Sequence, residues 1–137
     1  MTRENKNLLL KDLCARLPYG VICQLSNNNG DVSITEKLEL GGLEHFISGT
    51  MDVKPYLRPL SSMTEEEGKE LEHLFCEIDA PCWVDTEYGC VNFAGGNDFI
   101  DTEIAEVYTD WLNKKMFDYR GLIEKGLALE AKEDMYK

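Results

Sequence analysis

His73, Cys76, Cys82 and Cys90 have the side-chain types of a structural zinc site. On a helix, His73 and Cys76 would stand three residues apart and point to the same side. The paired Cys-x-x-Cys spacing that makes zinc motifs specific does not occur in the sequence, and free cysteines are most often packing residues. The sequence therefore favours packing roles, and a small metalloprotein or enzyme built on these four residues is the weaker alternative.

Three further arrangements have reactive side chains, and each lacks its usual context. A cysteine nucleophile with His45 or His73 as its base has no recognisable surrounding motif. The Gly-Gly-Asn-Asp stretch at 95–98 lacks the lysine and the helix start of a phosphate loop. Several carboxylates do not match the spacing of a calcium loop; they are Asp79, Asp85, Glu87, Asp98 and Asp101. We expect no catalytic residues and no cofactor.

A run of glutamates is the sharper feature: Glu65, Glu66, Glu67, Glu70 and Glu72. Dense carboxylates can bind the basic cleft of another protein and, in the extreme, imitate the regular charge of DNA. Charge runs seldom need a partner to explain them, however. Solvation of one helix is therefore the favoured interpretation, and these five residues are candidates for partner binding.

The net charge of -12 is unevenly distributed along the chain. Residues 61–110 hold one basic and fourteen acidic residues, a net charge of 1 - 14 = -13, whereas the flanking residues together sum to +1. Proteins contact nucleic-acid phosphates with lysine and arginine, so the middle of this chain would repel a duplex. We therefore expect no direct binding of DNA or RNA.

The composition, 43% hydrophobic and 29% charged, is that of a globular protein and not of a disordered chain. No apolar run approaches the roughly 20 residues of a membrane helix, and the first residues lead into a helix pattern without a signal-peptide core. Five cysteines are an odd number, which favours reduced thiols over a disulfide framework. We expect a cytoplasmic protein that makes no contact with membranes.

The first forty residues predict a helix followed by a hairpin. Leucines four residues apart mark a helix over residues 5–17, which Pro18 should end. Apolar residues then alternate over residues 19–40, interrupted by an Asn-Gly turn, and this pattern is typical of two antiparallel strands.

Residues 41–60 continue the predicted sheet. Gly41-Gly42 should form a turn before a short strand at 43–47, and residues 50–60 read as an extended segment. Pro55 and Pro59 should hold that segment at a sheet edge or a crossing, because proline cannot donate to a sheet ladder.

The second half predicts helices and another hairpin. Thr64 and Glu67 fit a capping box at the start of a helix, whose buried stripe would be Leu71, Leu74, Phe75 and Ile78. Residues 82–93 predict a short hairpin, and residues 95–98 a loop. Asp101 or Thr102 can cap a third helix, with a stripe of Ile104, Val107, Tyr108, Trp111, Leu112 and Met116.

Asp118 has the pattern of one more helix N-cap. Phe117 before it and Leu122 after it occupy the positions of a hydrophobic staple, which predicts a sharp corner between two consecutive helices. Gly126 should end the last helix or permit close packing there.

Together these patterns predict an α+β fold with an N-terminal helix and a small curved antiparallel sheet. Helices with a second short hairpin and a C-terminal helix-corner-helix should follow. We expect a single domain over residues 1–137, with a β-rich part at about 19–60 and a helical part at about 61–137.

Three segments resemble small uncharacterised proteins of Bacteroidetes and of their phages and prophages. These segments are KDLCARLPYGV at 11–21, KPYLRPLSSMTEEE at 54–67 and WLNKKMFDYRGLIEKGLALEA at 111–131. The resemblance implies an intracellular protein from a mobile element and carries over no catalytic residues. Residues 77–102 lie outside it.

From this we expect a non-catalytic intracellular protein, associated with a phage or prophage, that acts through contacts with another protein. The first alternative is an acidic nucleic-acid mimic that binds a basic DNA-binding protein. Arg120 is the one residue of the stretch DWLNKKMFDYRGLIEKGLAL, residues 110–129, without a structural explanation, so it joins the five glutamates as a candidate partner-binding residue.

Overall fold

The fold is α+β and begins with a helix, as the sequence predicts. A computed structural model describes residues 1–27, 29–87, 90–93 and 102–136. The predicted loop at 95–98, the cap at Asp101 and residue 28 of the first hairpin turn lie outside these ranges. In chain order the elements are α1 (Arg3–Arg16), β1 (Ile22–Asn27), β2 (Ser33–Lys37), α2 (Leu40–Ser48), β3 (Met51–Leu57), α3 (Glu65–Glu77), β4 (Cys82–Asp85), β5 (Cys90–Phe93), α4 (Thr102–Lys114) and β6 (Leu129–Glu130).

The chain divides into two units. Unit 1 consists of Met1–Arg58 together with Arg120–Lys137, and unit 2 is the continuous segment Pro59–Tyr119. Unit 1 therefore takes its residues from both ends of the sequence. That residues 1–137 form one domain stays a prediction.

The sheet of unit 1 has the strand order β2-β1-β3-β6. The predicted hairpin is confirmed, since β1 runs antiparallel to β2, and β1 is also antiparallel to β3. β6 runs parallel to β3, with Tyr56 beside Leu129. The sheet is therefore mixed, and the prediction of an antiparallel sheet is wrong for its last strand, which comes from the far end of the chain.

β3 lies between β1 and β6, so the prediction of an edge or a crossing is wrong for Pro55. Pro55 pairs with Cys23 of β1. The N–H of Ala131 donates to the Leu57 carbonyl at 2.7 Å, and alternate residues of a strand point their backbone groups to the same side. The missing N–H of Pro55 therefore faces away from β1, on the side where β6 pairs only with Tyr56 and Leu57.

α2 occupies the place of the strand predicted at 43–47 and of the turn predicted before it, so both predictions are wrong. Leu43 and Phe46, three residues apart, are the buried residues of this helix. A Cβ atom on Gly42 would lie 3.2 Å from the side chain of Leu25 in β1. The glycine therefore lets α2 lie close against the hairpin, a long-range contact that the local pattern does not reveal.

Unit 2 confirms the predicted α3, the hairpin β4–β5 and α4. The capping box is present, because Thr64 and Glu67 each bond the other's backbone N–H at 3.1 Å. Phe75 and Phe93 meet edge to face with their ring centres 5.0 Å apart. The buried core of this unit comprises Met63, Leu71, Phe75, Ala80, Phe93, Ile104, Trp111, Leu112 and Phe117.

The predicted helix-corner-helix is wrong, because no second helix follows α4 within the described residues. The chain leaves α4 through Met116, whose φ of 64° is left-handed. Asp118 therefore caps no helix. Residues 122–127 make an isolated turn, in which the N–H of Leu127 donates to the Leu122 carbonyl at 2.9 Å and Gly126 has a φ of 75°.

Candidate functional site

The candidate glutamates of α3 divide into two groups. Glu67 belongs to the capping box. Glu70 lies 3.1 Å from the ammonium group of Lys115 and accepts a hydrogen bond from the indole N–H of Trp111 at 3.4 Å. Glu72 accepts from the backbone N–H of Val84 at 2.8 Å, which ties β4 to α3. These three glutamates therefore have structural partners inside unit 2, partners that are distant in sequence for Glu70 and Glu72.

Glu65 and Glu66 form the other group, and both are exposed in the first turn of α3. Carboxylates at this position stabilise a helix through its dipole. Of the five candidate glutamates, these two are the ones to which the structure gives only this local role.

The four candidate zinc ligands do not form a metal-binding group. The ring of His73 instead lies 3.2 Å from the carboxylate of Glu77, with both side chains largely exposed. Burial, followed by the charges of Glu72 and Cys76, raises the pKa of the Cys82 thiol to about 11, so this thiol is protonated at neutral pH. No set of three or more histidine, cysteine, aspartate or glutamate side chains in the described ranges is arranged to hold a metal ion.

His45 lies in α2 and not in a strand, and it is exposed. Its Nδ1 atom is 2.8 Å from the hydroxyl of Thr50. Asp79 follows α3 with a left-handed φ of 58°, and the N–H of Ala80 closes that turn on the Phe75 carbonyl at 2.9 Å. Asp85 accepts from the N–H of Glu87 within the β4–β5 turn at 3.0 Å. The contacts of His45, Asp79 and Asp85 are therefore with residues close to them in sequence.

Trp83 is a candidate functional residue that the sequence patterns did not predict. Its side chain is 57% exposed on β4. Its neighbours Cys82 and Val84 pack against the core of unit 2, because successive residues of a strand point to opposite faces. Asp85 shares the outer face with Trp83. The alternation in Cys-Trp-Val-Asp was the signal that could have placed this tryptophan outside.

The net charge of the molecule resides in unit 2. Residues 59–119 contain three basic and fifteen acidic residues, a net charge of 3 - 15 = -12. The remaining residues, which make up unit 1, contain eleven of each and are neutral overall. Trp83 therefore lies in the unit that accounts for the net negative charge of the chain.

Arg120 has a structural partner in unit 1. Its Nη1 atom lies 2.6 Å from Oδ1 of Asp12, a residue of α1 that is fully buried. The Nε atom of Arg16, one helical turn further along, lies 3.0 Å from both carboxylate oxygens of Asp12. Arg120 itself is 13% exposed. This buried ion pair joins α1 to the last segment of the chain and explains a residue for which the sequence offered no role.

Tyr136 bridges β1 and β3 where their ladder opens. Cys23 pairs with Pro55, so Ile22 and Tyr56 would form the next pair of this antiparallel ladder. The Tyr136 hydroxyl instead accepts from the N–H of Ile22 at 3.0 Å and donates to the carbonyl of Tyr56 at 2.6 Å. Burial is the largest cause that raises the pKa of Tyr136 above its ordinary value of 10.0.

Cys23 is a packing residue of β1. It is fully buried, and burial, reinforced by the charge of Asp12, raises the pKa of its thiol to about 12. This thiol is therefore protonated and unreactive at neutral pH.

Comparison of the chain with protein families, with curated proteins and with solved structures finds no match. Within the described ranges, none of the helices has the length and apolar character that crossing a bilayer requires.

Proposed function

We propose that the chain is a non-catalytic cytoplasmic protein of a phage or prophage that acts by binding another protein. The observation that carries this proposal is Trp83, a large aromatic side chain that is 57% exposed on the outer face of the β4–β5 hairpin. Tryptophan is among the residues that most often dominate the binding energy of protein interfaces. Protein binding therefore explains a side chain that contributes little to its own fold.

The charge of unit 2 defines the chemistry of the partner. A net charge of -12 over residues 59–119 favours a partner with lysine and arginine on its contacting surface. Trp83 adds the need for an apolar pocket at the centre of that surface. The proposed partner is therefore a protein with an apolar pocket rimmed by basic side chains.

Capture from host lysate at near-physiological salt tests the proposal. The wild-type chain should retain a specific protein, and Trp83→Ala should retain it at least about tenfold less well, the loss typical of an interface hot spot. Tyr19→Ala is the matched control, because Tyr19 is 41% exposed but lies in unit 1. Equal retention by the wild type and Trp83→Ala would contradict the proposal, as would the recovery of no specific protein.

A nucleic-acid mimic is the second candidate, and one observation favours it. Glu103, Glu106 and Asp110 are exposed along α4 at helical spacings of three and four residues. With a rise of about 1.5 Å per residue, these carboxylates follow one another at about 4.5 and 6 Å along the helix axis. This is a short row of regularly spaced negative charges, which a DNA-binding groove could accept in place of phosphates.

A further inference from the structure

β2 is the outer strand of the unit 1 sheet, with β1 as its neighbour in the described part of the chain. All five of its residues are exposed. The side chains of a strand point to both faces of a sheet, so β2 is uncovered on both faces. An uncovered edge strand is a template for pairing with another strand.

The direction of the free backbone groups follows from the hydrogen bonds on either side of the β1–β2 ladder. The N–H of Asn27 donates to the Val32 carbonyl at 3.2 Å, and that of Leu38 donates to the Val21 carbonyl at 2.8 Å. Backbone groups alternate in direction along an antiparallel strand. Even-numbered residues of β2 therefore face β1. The N–H and C=O groups of Ser33, Thr35 and Lys37 face outward.

The side chains of β2 add an apolar centre to this edge. Ile34 pairs with Leu25, whose side chain is only 3% exposed, so both lie on the same face of the sheet. Ile34 is nevertheless 46% exposed and Val32 is 60% exposed. The apolar face of the sheet therefore extends to an edge where nothing in the described chain covers it.

We propose that the edge of β2 pairs antiparallel with the β2 of a second copy of this chain, about a twofold axis at Ile34. Ile34 then faces Ile34 of the second copy in a non-hydrogen-bonded pair, the arrangement in which side chains approach most closely. Ser33 faces Thr35 of the second copy, so their outward backbone groups bond each other. Lys37 of the second copy comes near Asp31, which lies in the hairpin turn before β2 and has the opposite charge.

A twofold register centred on Thr35 would also satisfy the outward groups. It would place Ile34 opposite a carboxylate, that of Glu36 in the second copy, and Lys37 opposite a serine. The register centred on Ile34 also places an apolar side chain, that of Val32, opposite Glu36 of the second copy. Of the two registers, however, it is the one that pairs Ile34 with itself and brings Lys37 near a side chain of opposite charge. Unit 1 as a whole has eleven basic and eleven acidic residues, so it carries no net charge that opposes this pairing.

This pairing does not involve unit 2 or Trp83, so its test is separate from the test of the proposed function. Its main test is the molar mass of the purified chain by light scattering, from micromolar to millimolar concentration. The wild type should be a dimer. Thr35→Pro removes an outward N–H and no bond to β1, so the variant should still fold. Its dimer should have a dissociation constant at least about tenfold higher than that of the wild type. Thr35→Ala, the matched control, keeps the N–H and should remain a dimer.

Cross-linking tests the register in a background where the exposed cysteines Cys14, Cys76 and Cys90 are replaced by serine. Ile34→Cys should form a disulfide-linked dimer on oxidation, because the two positions face each other. Glu36→Cys, which would face Val32 of the second copy, should not. A monomeric wild type, a dimer unchanged by Thr35→Pro, or equal cross-linking of the two cysteine variants would overturn the proposal.

Discussion

At the scale of single residues, side chains from the last segment of the chain complete unit 1. Arg120 pairs with the buried carboxylate of Asp12, and the hydroxyl of Tyr136 replaces a ladder hydrogen bond between Ile22 and Tyr56. Buried polar groups that lose a partner keep their desolvation cost without its compensation. Removing either side chain should therefore lower the free energy of unfolding, because its buried partner would be left without a hydrogen bond.

Tyr136→Phe should lower the free energy of unfolding by about 1–3 kcal/mol, because it leaves the N–H of Ile22 and the carbonyl of Tyr56 without their bridging hydroxyl. Urea unfolding followed by circular dichroism measures this change. Tyr19→Phe is the control, since Tyr19 is 41% exposed, and it should change stability by less than about 0.5 kcal/mol. Equal stability of Tyr136→Phe and the wild type would show that the bridge contributes nothing.

The same variant should alter the alkaline limb of the stability profile. The pKa of Tyr136 is raised in the folded state, so the unfolded chain releases this proton first as the pH rises through 10. The stability due to Tyr136 is therefore fully present below pH 10 and is lost above it. Tyr136→Phe should show a shallower decline there. The pKa of Tyr108 is also raised by burial, so part of the decline should remain.

At the scale of elements, α3 meets the β4–β5 hairpin at a glycine. A Cβ atom on Gly68 would lie 2.8 Å from Cγ2 of Thr86 and 3.5 Å from Cγ1 of Val84. Glycine inside a helix costs about 0.5–1 kcal/mol relative to alanine. The close approach of the hairpin, which the hydrogen bond from Val84 to Glu72 reinforces, offsets that cost.

Gly68→Ala should therefore destabilise the protein by about 1–3 kcal/mol through crowding, and Thr86→Ser, which removes Cγ2, should restore part of that loss. Gly41→Ala is the matched control, because Gly41 lies in α2 with nothing within 4 Å of its Cβ position, and this change should stabilise the helix. A double-mutant cycle of thermal or urea unfolding gives the coupling between positions 68 and 86. Additive effects at these two positions would contradict the proposed contact.

Elements with local signals were predictable. The capping box of Thr64 and Glu67 and the apolar stripe after it lie within one stretch of sequence, and α3 forms there. The hairpins and α4 likewise follow from spacing. α2 was misread because a short apolar run after two glycines is compatible with a strand, and the deciding contact of Gly42 with Leu25 is distant in sequence.

The site residues show the same division. Asp118 and Leu122 have the local pattern of a helix start, but no helix forms in this part of the described chain. The chain instead turns at Met116, which has a left-handed φ, and continues to β6, which pairs with β3. The pairings of Glu70 with Lys115 and of Arg120 with Asp12 join residues too distant for any spacing rule. Trp83, in contrast, could have been placed outside from strand alternation alone.

At the scale of the whole molecule, the charge is divided between a neutral unit 1 and a unit 2 with a net charge of -12. Neutralising all five candidate glutamates of α3 would be a poor test of partner binding, because Glu67, Glu70 and Glu72 also support the fold. The exposed carboxylates of α4, Glu103, Glu106 and Asp110, allow a test of partner binding that leaves these structural contacts unchanged.

The triple variant Glu103→Gln, Glu106→Gln and Asp110→Asn should weaken capture of a basic DNA-binding protein from lysate by about tenfold or more, if the chain is a nucleic-acid mimic. Added duplex DNA should displace that protein from the wild type. The control with equal net charge, -12 + 3 = -9, replaces three exposed glutamates of unit 1 by glutamine, namely Glu39, Glu44 and Glu133. Capture that withstands duplex DNA, or equal loss in both variants, would exclude mimicry.

The assembly of unit 1 from two separate segments sets an order of events during translation. β6 and Tyr136, which complete the sheet beside β3, are synthesised only after the whole of unit 2. Until then the backbone groups of Tyr56 and Leu57 lack these partners, whereas the described core residues of unit 2, from Met63 to Phe117, belong to one continuous segment. Pairings across long stretches of chain form late because closing the loop costs entropy. We therefore expect the middle of the sequence to fold before its beginning.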